Sequence, residues 1–239
     1  MCLRTARCQN RPLARRIQWR SMFVGHFGIA LAAKRAAPRT SLGTLFLAAQ
    51  FVDLLWPALL LLGLERVSIR PGITRVTPLD FESYPISHSL LMSVVWGTLF
   101  AALYWIRTRY ARGAAIAGAA VVSHWLLDLL VHRPDLPLAF GDSAKVGLGL
   151  WSSMAATVAV EGAIFAAGLW IYARSTRARD RTGSIGLWSL IAFLLLIYAG
   201  NLLGPPPEKA EQIAWVGHAQ WLLVLWAWWV DRHRDFVDR

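Results

Sequence analysis

The sequence predicts an all-α membrane protein, a polytopic bundle of transmembrane helices with six full spans and one short helix before them. Three observations predict it. The chain is 56% hydrophobic and 16% charged, with a mean hydropathy of +0.43, too apolar for an ordinary soluble domain. Its apolar residues run continuously for about 18–23 positions at a time, enough for a helix to cross a hydrocarbon core of roughly 30 Å. They do not alternate, as the strands of a transmembrane barrel would. Finally, Lys and Arg gather in alternate connections between the runs.

Residues 1–21 hold six Arg and both cysteines, Cys2 and Cys8. They read as a basic tail, and 22–239 as a single helical domain. Two cysteines near one end offer neither a disulfide framework nor zinc-finger spacing. The run 22–33 has about a dozen residues and reaches only about 18 Å, so it reads as a short helix or an interfacial or re-entrant element. Full spans are expected at 41–63, 86–106, 113–131, 151–173, 184–203 and 213–230. In the first of these, Pro57 predicts a kink, because its ring meets the carbonyl of Asp53 four residues earlier. "GAAIAGAA" (113–120) offers small residues for close helix packing. "GPPPEK" (204–209) is a turn, and "WLLVLWAWWV" near the C-terminus reads as an aromatic, lipid-facing surface. There is no visible internal repeat, which weighs against inverted-repeat transporter folds.

The formal charge of +11 would suggest nucleic acid in a soluble protein. Here it records topology, and no nucleic-acid partner is expected. The stretch before 41 and the connections 107–112, 174–183 and 231–239 contain 19 of the 25 Lys and Arg. By the positive-inside rule they are cytoplasmic, and the C-terminus with them.

Six ionisable residues fall inside apolar runs: His26, Asp53, His88, His124, Asp128 and Glu161. Each is expensive in hydrocarbon unless paired, solvated or bound to an ion. With the orientation above, Asp53, His88, His124, Asp128 and Glu161 all fall in the outer half of the membrane, as a single site requires. His124 and Asp128 are four apart and share a helix face, and His132 continues it. Imidazoles with carboxylates suit zinc first, with manganese or iron as alternatives; magnesium alone would favour oxygen ligands. Such an ion polarises a phosphoryl or acyl oxygen and activates water. A carboxylate left over, Glu161 or Asp128, would serve as general base. Gln50, His132 and Asp135 are placed to orient the ligands. The structural alternative is that these groups are interhelical hydrogen-bonding partners.

The order "GHFGIAL", an Asp in the next helix, "SHSLL", then "SHWLLDLLVHRPDLPL" resembles a superfamily of bacterial inner-membrane metal-dependent hydrolases. The group is described as phospholipase-C-like and includes a LexA-regulated inner-membrane member. The resemblance covers roughly residues 22–140. It implies metal-site roles for His26, Asp53, His88, His124 and Asp128, and a location in the inner membrane. The family's acidic motif is Pro-Asp-x-Asp, whereas "QFVDLLWP" has one Asp and no preceding Pro. The resemblance then implies one ligand fewer, with Glu161 expected to replace it.

His26 fits such a site only if its helix enters from the outer face. Translation from Met22 would produce that arrangement, with Lys34 and Arg35 at the inner end, and is the expectation; a disordered tail is the alternative. The function expected is a divalent-metal hydrolase open to the outer leaflet or periplasm, acting on a phosphoester or lipid-like substrate amid membrane lipids. Its rivals are a small transporter or proton-coupled permease, with the carboxylates as a relay, and a non-enzymatic scaffold protein with polar groups as interhelical glue.

Overall fold

Thirteen residues from Val24 to Ala36 form the first helix, α1, which ends in Lys34 and Arg35. α2 (Leu42–Ala49) and α3 (Phe51–Leu61) follow, bent by 53° against each other. An antiparallel hairpin, β1 (Arg66–Ile69) and β2 (Leu79–Ser83), leads to the one-turn helix α4 (Pro85–His88). Then come α5 (Leu90–Thr108) and α6 (Ala111–Val131). The short pair β3 (Leu136–Pro137) and β4 (Lys145–Val146) and a 3-10 turn at Leu150–Ser152 precede α7 (Met154–Ser175). β5 (Thr176–Ala178), α8 (Arg181–Leu203), α9 (Ala210–His218), α10 (Gln220–Arg232) and β6 (Arg234–Phe236) complete the order. This computed structural model describes residues 24–205 and 207–237, so the expectations for the tail and for Met22 lie outside the described residues.

α5, α6, α7, α8 and the near-continuous α9–α10 are long and apolar enough to cross a membrane; counting the bent α2–α3 pair gives six. The expected bundle of six spans and a short leading helix is the architecture found. Between lipid-facing helices no hydrophobic force remains to drive association, so packing rests on close backbone approach. A Cβ at Gly97 would lie 2.8 Å from the carbonyl oxygen of Gly118, and one at Gly118 as close to that of Gly97. Only glycine at both positions lets α5 and α6 touch, and Gly118 lies in the "GAAIAGAA" stretch. α1 lies as tightly on α7, where a Cβ at Gly28 would meet the backbone of Ile164 and Phe165 at 2.7–2.8 Å.

The two ends of the bundle differ. At one end Lys34 of α1 binds Asp231 of α10 at 2.8 Å and the carbonyl of Thr40 at 3.0 Å. There β5 pairs with β6, and Arg39 lies over Tyr110. These elements come from the basic connections singled out in the sequence, so those connections and β6 share one end. The opposite end carries the two hairpins and the 3-10 turn, joined by Arg75 N–H to Trp151 O, Leu91 N–H to Leu138 O and Leu148 N–H to Leu129 O. Trp56, Phe81, Tyr84, Leu136 and Trp151 bury themselves among these connections as an apolar cap.

Two details differ from expectation. The bend in the first span falls at Gln50, not at Pro57. Pro57 sits inside α3 and packs against Gly217 of α9. The cause is tertiary: His124 Nδ1 lies 2.7 Å from the carbonyl oxygen of Ala49, the acceptor that the Asp53 amide would use in an unbroken helix. A side chain inserted into the i to i−4 ladder is a recognised origin of sharp bends. Second, His88 does not lie on the long helix. It ends α4, and Ser89 turns the chain in extended conformation before α5 begins.

Candidate metal centre

Each candidate ligand arrives on a different piece of backbone, save two. α1 brings His26 near its start, at the capped end, and runs toward the basic end. The bend at Gln50 begins a new helix, so Asp53 occupies the first turn of α3, where the helix dipole favours a carboxylate. α4 brings His88, and α6 brings His124 and Asp128 on one face. His26, His88, His124 and Asp128 are all buried, and Asp53 has a side-chain exposure of 22%.

These five side chains meet. Asp53 Oδ1 is 3.2 Å from His88 Nε2 and 3.6 Å from His124 Nε2. Asp128 Oδ2 is 3.4 Å from His124 Nε2 and 3.9 Å from His88 Nε2. Two groups have ligand atoms all within 4.8 Å of one another: His26, His124 and Asp128, and Asp53, His88 and His124. In a tetrahedral site with bonds of roughly 2.1 Å, ligand atoms lie ~3.4 Å apart. The four distances above straddle that value. Because His124 Nε2 belongs to both groups and a nitrogen lone pair binds one ion, the arrangement fits a single ion.

His26 reaches the centre differently. Its ring stacks on that of His124, with centroids 3.7 Å apart and planes 3° from parallel. Its Nε2 is 3.3 Å from Asp128 Oδ1, and neither ring nitrogen makes a hydrogen bond among the described residues. His26 lies beside Asp128 and, with His124, would complete a group able to hold an ion.

Two imidazoles have their outward nitrogens assigned by the surroundings. A carbonyl only accepts, so His124 Nδ1 carries a hydrogen and donates to Ala49. His88 Nδ1 is 2.6 Å from Ser87 Oγ, which is itself 2.6 Å from Glu65 Oε2. Nε2 of both rings then faces the carboxylates, and that of His88 lies 3.2 Å from Asp53 Oδ1 as a hydrogen-bond partner; without its hydrogen each Nε2 offers a lone pair. The same geometry accounts for "SHS": Ser87 holds His88, and Ser89 caps α5 by accepting from Met92 N–H at 3.2 Å.

Gln50 is buried at the bend, and its side-chain amide makes no hydrogen bond among the described residues. His132 caps the end of α6. Its Nδ1 is 2.9 Å from Asp135 Oδ1 and 3.3 Å from Tyr84 OH. Arg133 ties Asp135 to Asp80, which also binds Arg70 at 2.7 Å. This network joins the apolar cap, with the Tyr84 ring 5.4 Å and the Trp56 ring 6.1 Å from that of His88. Burial there pushes the Tyr84 hydroxyl well above the usual tyrosine range, and the charges of Asp135 and Asp128 push the same way. Glu161 belongs to neither ligand group. It is buried on α7, and α7 packs on the bundle chiefly through α1. Sequence reasoning missed Glu65 and Tyr84, because a carboxylate after an apolar run reads as solvated and a tyrosine before Pro85 reads as a turn. No family model, curated protein or solved structure matches this chain.

Proposed function

We propose that the chain is a membrane-embedded hydrolase dependent on one divalent ion, zinc first and manganese or iron as alternatives. The single observation that supports this most is charge. Asp53 and Asp128 carry two negative charges into the site and, among the described residues, pair only with imidazoles, two of which have Nδ1 turned away and Nε2 turned in. A buried carboxylate and a partly exposed one with no Lys or Arg beside them among the described residues need balancing positive charge, which a divalent cation supplies. The donor set is that of zinc and its neighbours rather than of magnesium.

Asp53, His88, His124 and Asp128 would hold the ion, with His26 at the free oxygen of Asp128. Bound there, the ion supplies a Lewis acid for a phosphoryl or acyl oxygen and for water. Asp53 is the half-open member and meets an incoming substrate first. The buried cap of Trp56, Phe81, Tyr84 and Trp151 lowers the local dielectric and excludes water, which strengthens every electrostatic contact inside. A phosphoester or lipid-like substrate suits a site at the level where α5 begins, which is headgroup depth in a spanning bundle. The wider reading includes the superfamily resemblance, a bacterial inner membrane, a cytoplasmic C-terminus at the basic end and a site opening outward.

The test is elemental analysis of the detergent-purified chain, followed by hydrolysis of a panel of phosphodiester and phosphomonoester lipids and their short-chain analogues. One ion per chain, lost in His124→Ala, with turnover that chelation removes and the ion restores, is the expected outcome. Glu161→Gln tests the proton acceptor: a variant that keeps its metal and loses turnover marks Glu161 in that role. A well-folded wild type that takes up no metal sinks the proposal.

A further inference from the structure

The carboxylate of Glu65 is buried in the connection between α3 and β1. Its Oε1 accepts from Ile86 N–H at 2.8 Å and from Ser87 N–H at 2.9 Å, and its Oε2 from Ser87 Oγ at 2.6 Å. Three donors converge on one carboxylate, all from the turn that carries His88. Ser87 Oγ has a single hydrogen. Committed to Glu65, it leaves the serine oxygen only the acceptor role toward His88 Nδ1 at 2.6 Å. The hydrogens therefore run one way, from His88 Nδ1–H to Ser87 and from Ser87 to Glu65.

We infer that Glu65 is a positioning residue for the ion site, acting through Ser87 to fix the tautomer of His88 so that its Nε2 faces Asp53 and Asp128 as a ligand. The inference rests on the metal-site reading proposed above. Glu65 touches neither the ion position nor a substrate. It acts as an outer partner of a metal-binding imidazole, the kind of partner whose loss weakens metal affinity 10- to 100-fold. It also ties the end of α3, the helix of Asp53, to α4, the helix of His88, so the two ligands nearest each other share one anchor.

Glu65→Gln tests the direction of the chain with almost no change of shape. The amide oxygen can keep the two backbone donors, but its nitrogen only donates. Ser87 must then accept from Gln and turn its own hydrogen to His88 Nδ1. The ring hydrogen moves to Nε2, where it blocks the ion. The full chain in detergent is titrated with zinc against a competing chelator, and the visible spectrum of bound cobalt is recorded, alongside thermal midpoints of the metal-free proteins.

Glu65→Gln and Ser87→Ala should each weaken zinc binding about 10- to 100-fold and alter the cobalt spectrum, with the metal-free midpoint close to wild type. Ser89→Ala, which removes only the α5 cap, should lower the metal-free midpoint and leave affinity unchanged. Wild-type affinity and spectrum in Glu65→Gln would overturn the inference and leave the metal site standing. So would an affinity loss matched by a lowered metal-free midpoint, which would assign Glu65 to packing. A wild type that binds neither zinc nor cobalt would overturn the metal reading and this inference with it.

Discussion

Replacing Asp128 by Asn removes one charge and one ligand oxygen while keeping the volume of a side chain that is almost fully buried. If one divalent ion binds as proposed, a free concentration 100 times its dissociation constant stabilises the folded wild type by about 2.7 kcal/mol. For a chain of this length that is a rise of about 5–10 °C in the thermal midpoint. Asp128 supplies the oxygen 3.4 Å from His124 Nε2 and 3.9 Å from His88 Nε2, so its loss would open one corner of the proposed four-ligand set. Outer partners alone change affinity 10- to 100-fold, and a direct ligand should exceed the upper figure. At the same free metal concentration, a 100-fold loss leaves about 0.4 kcal/mol, or under about 2 °C. The 13 Trp make fluorescence-monitored unfolding in detergent a direct assay, run with zinc and with chelator. A metal-induced rise in Asp128→Asn equal to that of the wild type would refute the placement of Asp128 among the ligands.

Other consequences can be checked separately. His26→Ala should keep one ion per chain with weakened affinity, because its ring stacks on His124 rather than sharing its plane; His88→Ala should lose the ion, and elemental analysis compares the two. Gly118→Ala places a Cβ 2.8 Å from the Gly97 carbonyl and should cost about 1–3 kcal/mol in denaturant titrations, as overpacking does. Lys34→Met strands Asp231 beside the buried end of α1 and should cost about 3–5 kcal/mol, much of it recovered in the double variant Lys34→Met/Asp231→Leu. Asp180 caps α8 by accepting from Gly183 N–H at 2.7 Å, which with His233 holds its carboxyl below the usual range. Its contribution is complete above that range and fades as the pH falls through the lowered value, so the difference in midpoint between wild type and Asp180→Ala should shrink only in acid.

Much of the bundle was legible because the constraint that makes it is one-dimensional. A span must be apolar for about 20 residues and its basic flanks must alternate, and both properties survive in a sequence read without neighbours. The i, i+4 pair His124 and Asp128 was legible for the same reason, since helix geometry alone puts them on one face. The bend at Gln50 was not. No residue from Phe46 to Asp53 breaks a helix by propensity, and the break exists because His124, 75 positions away, takes the carbonyl of Ala49. Pro57, the local breaker, is absorbed within α3 where Gly217 leaves room for its ring. Glu65 was illegible for a related reason. Its three donors belong to Ile86 and Ser87, and only the β1–β2 hairpin between them brings the two ends of that connection together. Asp53 fell in between: its depth was readable, but its proximity to His88 depended on a turn that the pattern of residues 86–106 had merged into one long helix.

The chain buries charge in two ways, and the contrast bears on what the site is for. At the basic end Lys34 meets Asp231 at 2.8 Å and also donates to Thr40; cation and anion come from the same chain and the balance closes within it. In the network at the capped end Arg133 joins Asp80 and Asp135, and Arg70 adds a second cation to Asp80, again a self-contained arrangement. Between them lie Asp53 and Asp128, paired among the described residues with imidazoles alone. A bundle that places Lys and Arg against carboxylates above and below this level had those residues available for it too. Imidazoles with one nitrogen tied to Ala49 or Ser87 add donors without adding fixed charge, and a lysine in their place would fill the position that a cation needs. Structural glue is served best by a permanent internal cation; a site for an exchangeable one requires its absence.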